Sequence, residues 1–177
     1  MAVKQQLRMV AYRTFYRLPA RWKRRIVRTF QPTYTIGAVI LVRDPEASRI
    51  LLLRQPPGAG WSLPAGLMDR GERPVQTAAR EFAEETGIRL PLERFRPANP
   101  NAVVHTRGQW IDMVFETEVE PSDEFEIDAA EVIEAAWHRL DALPPLTVST
   151  SRLLAHYGIG PYKDYPEVLT KRRRSAR

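Results

Sequence analysis

Residues 66–88 read GLMDRGERPVQTAAREFAEETGI and gather Glu72, Arg80, Glu81, Glu84 and Glu85 into one short segment. Like charges three and four residues apart disfavour a helix by roughly 0.2–0.5 kcal/mol, so the cluster asks for a counterion. On a helical wheel Glu85 lies about 40° to one side of Glu81 and Glu84 about 60° to the other. Three carboxylates thus project from a turn and a half, while Val75, Ala79, Phe82 and Thr86 form an adjoining apolar face. A salt-bridged surface helix is the competing reading, since Arg80 stands four residues before Glu84. The surroundings favour a metal: a glycine turn feeds the helix, Glu72 sits at its start, and a strand carrying Trp61 leads in. Clustered carboxylates suit Mg²⁺ or Mn²⁺, hard cations that take oxygen ligands and bring phosphates with them. With no Cys and three His, a zinc site is disfavoured.

The elements that must position this cluster are legible nearby. A helix is expected from about Pro74 to Thr86, with Pro at its start and Gly87 at its stop. TIGAVILV (35–42) and RILLLRQ (49–55) read as strands, separated by the turn RDPEAS, and predict a hairpin or close antiparallel pair. WSLPAG (61–66) reads as a short strand ending in a glycine turn. Further strands are expected near 92–97, over 109–120 and over 132–140, with a closing helix at about 149–157. Strands and helices alternate without regular βαβ spacing. The predicted class is α/β: a mixed β-sheet between helical layers.

At 177 residues and 44% hydrophobic content, one ordered domain is expected. The absence of Cys excludes a disulfide framework. No run approaches a membrane span, and arginines interrupt every apolar run that could serve a signal peptide, so a cytoplasmic setting is expected. The formal charge of +6 is partitioned: Met1–Phe30 carries nine Lys/Arg and no acid, and Lys171–Arg177 carries five more. Residues 32–170 hold 13 basic and 21 acidic residues, a net of −8. The expected organisation is a basic amphipathic helical extension (1–31), a main folded domain (32–170) and a basic tail (171–177). In the extension Arg13, Arg17, Arg21, Arg24 and Arg28 recur opposite Ala11, Phe15, Leu18, Trp22 and Ile26. Pro19 either kinks this helix or begins a second one. The apolar face packs on the domain or on a second subunit of a homodimer; a membrane surface or nucleic acid is the alternative.

The glutamate segment resembles the Nudix box in all its fixed positions. Gly66 is followed after five residues by Glu72, and after seven more by Arg80, Glu81, Phe82, Glu84, Glu85, Gly87 and Ile88. WSLPAG resembles the family's lead-in, with Ala65 where glycine is common, and EVIEAAWHRLDALPPL (131–146) resembles its late strand and short helix. The resemblance covers roughly 34–157 and implies a Nudix-like α/β/α sandwich. It also implies that Glu81 and Glu85 are the principal metal ligands, joined by Glu84 and the Ala65 carbonyl. Arg80 and Glu72 would orient them, with Gly66 and Gly87 as backbone positions, a tight turn and a helix stop.

What the resemblance implies for chemistry is metal-dependent hydrolysis of a diphosphate linked to another moiety, such as ADP-ribose, a nucleotide sugar or an NTP. The general base is a box glutamate or one on a late loop, where Glu124, Glu126, Glu131 and Glu134 are candidates and Glu131 and Glu134 the better pair. Trp61, Trp110 or Trp137 could stack on a base, and Arg54, His105 and Arg107 could reach phosphate oxygens. Two alternatives stay open: a membrane-associated hydrolase of a lipid-linked diphosphate, and a Nudix-like binding protein whose basic helix contacts RNA or a partner.

Overall fold

The computed structural model describes residues 2–105, 108–122 and 124–164. The chain divides into two compact units, the first ending at Tyr34 and the second beginning at Thr35. In the first, α1 (Ala2–Arg17) and α2 (Ala20–Phe30) are separate helices. Pro19 has extended backbone (φ −56°, ψ 148°), and its ring disfavours helical geometry at Leu18, so it stands outside the second helix rather than inside a kinked one. The continuous arginine stripe expected from Arg13 to Arg28 is therefore divided at this break. The closing basic tail, 171–177, lies outside the described residues.

The second unit is a seven-stranded mixed sheet with helices on both faces. Its strands are β1 (Thr35–Arg43), β2 (Arg49–Arg54), β3 (Trp61–Ser62), β4 (Ala65–Leu67), β5 (Arg96–His105), β6 (Trp110–Glu118) and β7 (Glu134–Arg139). The helices are α3 (Pro74–Thr86) and α4 (Val148–Ala155). The backbone order is β3-β2-β1-β6-β5, with β4 added to β1 and β7 to β2. The parallel β1–β6 pair runs in unbroken register from Thr35↔Trp110 to Arg43↔Glu118.

β1 and β2 read as unbroken apolar runs because both of their faces are covered. Ala38, Ile40 and Val42 pack with Phe82 and Ala78 of α3. Val39 and Leu41, one residue out of phase, pack with Leu153 and Leu154 of α4 on the other face. That is the α/β/α sandwich expected.

The hairpin is only partly realised. β1 and β2 meet at Arg43↔Ile50 and then diverge, and the segment expected as one strand fills the gap as two. Trp61–Ser62 pairs with β2 and Ala65–Leu67 with β1. Between them the Pro64 carbonyl accepts from Ile40 N at 2.9 Å; proline, lacking an N–H, suits a crossing where no ladder bond is donated. A second correction concerns 92–97. Leu92–Arg94 is a 3₁₀ turn after Pro91, and β5 starts later and runs longer. Pro97 and Pro100 are tolerated there because β5 is an edge strand with a register shift between Pro97 and Ala102.

Candidate active site

α3 begins with Pro74 at its first turn and ends at Gly87, whose φ of +77° makes a left-handed cap. Phe82 and Ala78 anchor one face on the sheet, both with no exposed surface. Fixing that face decides where the glutamates go. Glu85 is turned inward and is only 3% exposed. The Glu81 side chain is 15% exposed and that of Glu84 53%.

Glu85 lies under the β3–β4 segment. Its Oε2 accepts from Ala65 N at 2.9 Å and its Oε1 from Gln55 Nε2 at 2.6 Å. Ser62 Oγ donates to Gln55 Oε1 at 3.1 Å, which fixes the amide's orientation. Burial nevertheless pushes the Glu85 carboxyl up to about 8; the Ala65 and Gln55 bonds oppose this, and the charges of Glu81 and Glu131 add to it. Burial also raises Glu81, against the bond from Arg80, with Glu84 and Glu131 adding repulsion. Two carboxylates are thus held where anionic charge is disfavoured.

Arg80 organises the other side. Its Nε donates to Glu72 Oε1 at 2.9 Å, and its Nη1 to Glu81 Oε1 at 2.8 Å and to Glu84 Oε2 at 3.0 Å. Its Nη2 reaches the Leu67 carbonyl at 3.0 Å. Glu72 also accepts from Thr77 Oγ1 at 2.8 Å and Asp69 N at 3.1 Å. Bonding to Arg80 first, then Thr77 and Asp69, holds the Glu72 carboxyl at about 2, so Glu72 is a fixed anion tying the 69–72 loop to α3. Gly66 corrects an expectation. It is absent from the positive-φ residues and lies in β4 opposite Ala38. Glycine is needed because a Cβ there would stand 1.8 Å from Glu81 Cδ.

The late-loop pair separates. Glu134 is engaged by Arg54 at 2.6 Å, whose guanidinium lies 5.9 Å from the Trp61 ring centre. These three meet because β7, β2 and β3 align Glu134, Arg54 and Trp61 side by side. Glu131, just before β7, is exposed, and its charge is felt by both Glu81 and Glu85. Glu126 lies against Gly87, at the far end of α3.

A cavity of about 360 Å³ opens beside Ala65 and Gln55, lined also by Ser62, His105, Trp110, Asp112 and, from α4, Ser149, Thr150 and Leu153. His105 Nε2 lies 2.8 Å from Asp112 Oδ2, and Trp110 Nε1 donates to Asp112 Oδ1. Of the residues expected to touch substrate, His105 and Trp110 line this cavity. Trp61 and Arg54 do not: Trp61 packs on His138 with ring centres 4.4 Å apart. Arg107 lies outside the described residues. Gln55 and Asp112 were missed, although each is a polar residue set in or against an apolar strand, where an unexplained polar group is itself the signal.

Among the described residues no group of three or more His, Asp or Glu side chains is placed to hold a metal ion. Arg80 bonds Glu72, Glu81 and Glu84 alike, and burial is what marks Glu81 and Glu85 as the inward pair. That set fits Mg²⁺ or Mn²⁺, which are commonly held by one or two carboxylates plus substrate phosphates rather than by a closed protein cage.

Comparisons with known proteins identify the family. The NUDIX domain model matches residues 33–157. An RNA pyrophosphohydrolase of Caulobacter vibrioides is 36% identical over 136 residues, covering 66% of this chain and 77% of that protein. An octanoyltransferase of Myxococcus xanthus is 51% identical over 64 residues, covering 34% of this chain and 18% of that protein; the chain thus spans well under two thirds of that relative. The crystal structure of a MutT NUDIX hydrolase from Burkholderia pseudomallei superposes with a TM-score of 0.54 at 27% identity, over 67% of this chain and 93% of that one. The chain belongs to the NUDIX hydrolase family.

Proposed function

We propose that this protein is a divalent-metal-dependent pyrophosphohydrolase that cleaves the diphosphate linkage of a nucleoside diphosphate joined to another moiety. The observation that carries the reading is the inward pair Glu81 and Glu85 on α3, with Glu85 bonded to Ala65 N and Gln55 Nε2, two residues that also line the cavity. Glu81 and Glu85 would hold Mg²⁺ or Mn²⁺, with Glu84 and the Ala65 carbonyl as further candidate donors. The ion, when bound, neutralises phosphate charge and lowers the pKa of bound water. Arg80, braced by Glu72, keeps Glu81 aimed inward through a charge-assisted bond. Glu131 is the favoured base: it is exposed and near both carboxylates, whereas Glu134 is neutralised by Arg54. It takes a proton from the attacking water as the P–O bond breaks, and the leaving phosphate carries away the balancing proton. The nucleoside portion would occupy the cavity lined by Trp110, His105 and Asp112, where a ring can stack and hydrogen-bond.

The test is product analysis with Mg²⁺ or Mn²⁺ across ADP-ribose, nucleotide sugars, dinucleoside polyphosphates, NTPs and 5′-triphosphorylated RNA. The last belongs in the panel because the Caulobacter relative is an RNA pyrophosphohydrolase. Cleavage within the diphosphate that is lost in Glu85→Gln supports the reading. Tight metal binding without cleavage of any member would remove the nucleotide assignment.

A further inference from the structure

α2 is the most segregated helix among the described residues. Arg21, Arg24, Arg25 and Arg28 fall within an arc of about 100°, and Trp22, Ile26 and Phe30 fall within about 80° centred nearly opposite. It contains no buried residue; Trp22 is 50% exposed and Phe30 79%. No acidic residue occurs between Met1 and Phe30, so no internal ion pair neutralises the arginines.

We propose that α2 lies in the plane of an anionic lipid surface, with Trp22, Ile26 and Phe30 at the headgroup–acyl boundary and its arginines among the lipid phosphates. The features match: a basic polar face, aromatics opposite it, and low overall hydrophobicity. Eleven residues span only about 16 Å, and no helix among the described residues is long and apolar enough to cross a membrane, so the helix lies on the bilayer. Phosphate charge alone would equally suit RNA, but an RNA backbone engages the arginine row and leaves the Trp22–Ile26–Phe30 row in water. A lipid interface takes both rows at once. Charge adds direction: residues 32–170 carry a net of −8 and are repelled by the same surface that attracts α2. The inference rests on α2 alone and holds whatever the hydrolase cleaves.

The experiment is flotation of the full chain with vesicles of phosphatidylcholine alone or with 30 mol% phosphatidylglycerol. The wild type, Arg24→Glu/Arg28→Glu and Trp22→Ala/Phe30→Ala are compared, with light scattering on each. Thermal unfolding verifies that the variants keep the folded body. The expected result is at least tenfold stronger binding to the anionic vesicles, weakened by 0.5 M NaCl and lost in the arginine variant. The aromatic variant should bind at least fivefold more weakly. Trp22 emission should shift to the blue on binding, a shift absent from Trp22→Phe. Equal recovery on both vesicle types, or on neither, overturns the proposal. So does an aromatic variant that binds as tightly as wild type. Dimers that Trp22→Ala/Phe30→Ala dissolves, without vesicle binding, would assign the face to a second copy and also overturn it.

Discussion

Glu85 is buried where its charge is unwelcome, and that has a measurable consequence in the metal-free protein. Its carboxyl sits near 8 when folded, against an ordinary 4.5. Between those values the native state holds a proton that the unfolded chain has released, so this group's contribution to stability is fully present below about pH 4.5 and is lost as pH rises toward 8. Chemical unfolding in EDTA at pH 5, 6.5 and 8 should show stability falling across that window, with a shallower slope in Glu85→Gln; parallel slopes would refute it. Bound metal should stabilise more at pH 8 than at pH 5, because the ligand must lose its proton. Gly66 gives a second expectation at this scale. In Gly66→Ala the new Cβ displaces the Glu81 carboxylate. Metal affinity or kcat/KM should fall by about 10–100-fold with little change in the unfolding midpoint, read by calorimetry and steady-state kinetics.

α3 presents its glutamates correctly only if its ends and apolar face are fixed. Gly87 serves the C-terminal end in two ways. Its φ is +77°, and a Cβ there would lie 2.5 Å from Glu126 Cβ. Gly71 has a comparable φ of +91° but open space around it. Gly87→Ala should therefore destabilise by about 1–3 kcal/mol and clearly more than Gly71→Ala, measured by urea unfolding. Equal losses would mean that backbone strain, not the contact with Glu126, sets the cost. At this scale the sequence was informative but incomplete. Pro74 and Gly87 mark the helix ends by local chemistry, and the helix appears between them. The split of WSLPAG into β3 and β4 was not legible, because which strand each half joins depends on how far β1 and β2 diverge.

Across the whole molecule the sheet is held by pairing between distant segments. The parallel β1–β6 ladder joins Thr35 to Trp110 and Arg43 to Glu118, and β1 is covered from both sides. α2, in the other unit, has no buried residue. Hydrogen exchange should then separate the units. Amides of Ile40–Val42 and of Val114 and Phe115 should exchange only through global unfolding, and those of α2 about a thousandfold faster or more. Matching protection in α2 would mean that the helix is covered in solution.

The sequence by itself determined the glutamate helix, its caps and the partition of charge, because each rests on local spacing, and the layered α/β class, because strands and helices alternate along the chain. The tertiary structure decided which carboxylates face inward. Seating Phe82 and Ala78 on the sheet turns Glu85 under Ala65 and leaves Glu84 in solvent beside Arg80. It also decided that Gly66 serves a neighbouring side chain rather than a turn. It gave Glu134 to Arg54 and brought Gln55 and Asp112, 57 positions apart in the sequence, to one cavity. Such choices depend on contacts between segments far apart in the chain, and no local pattern encodes them.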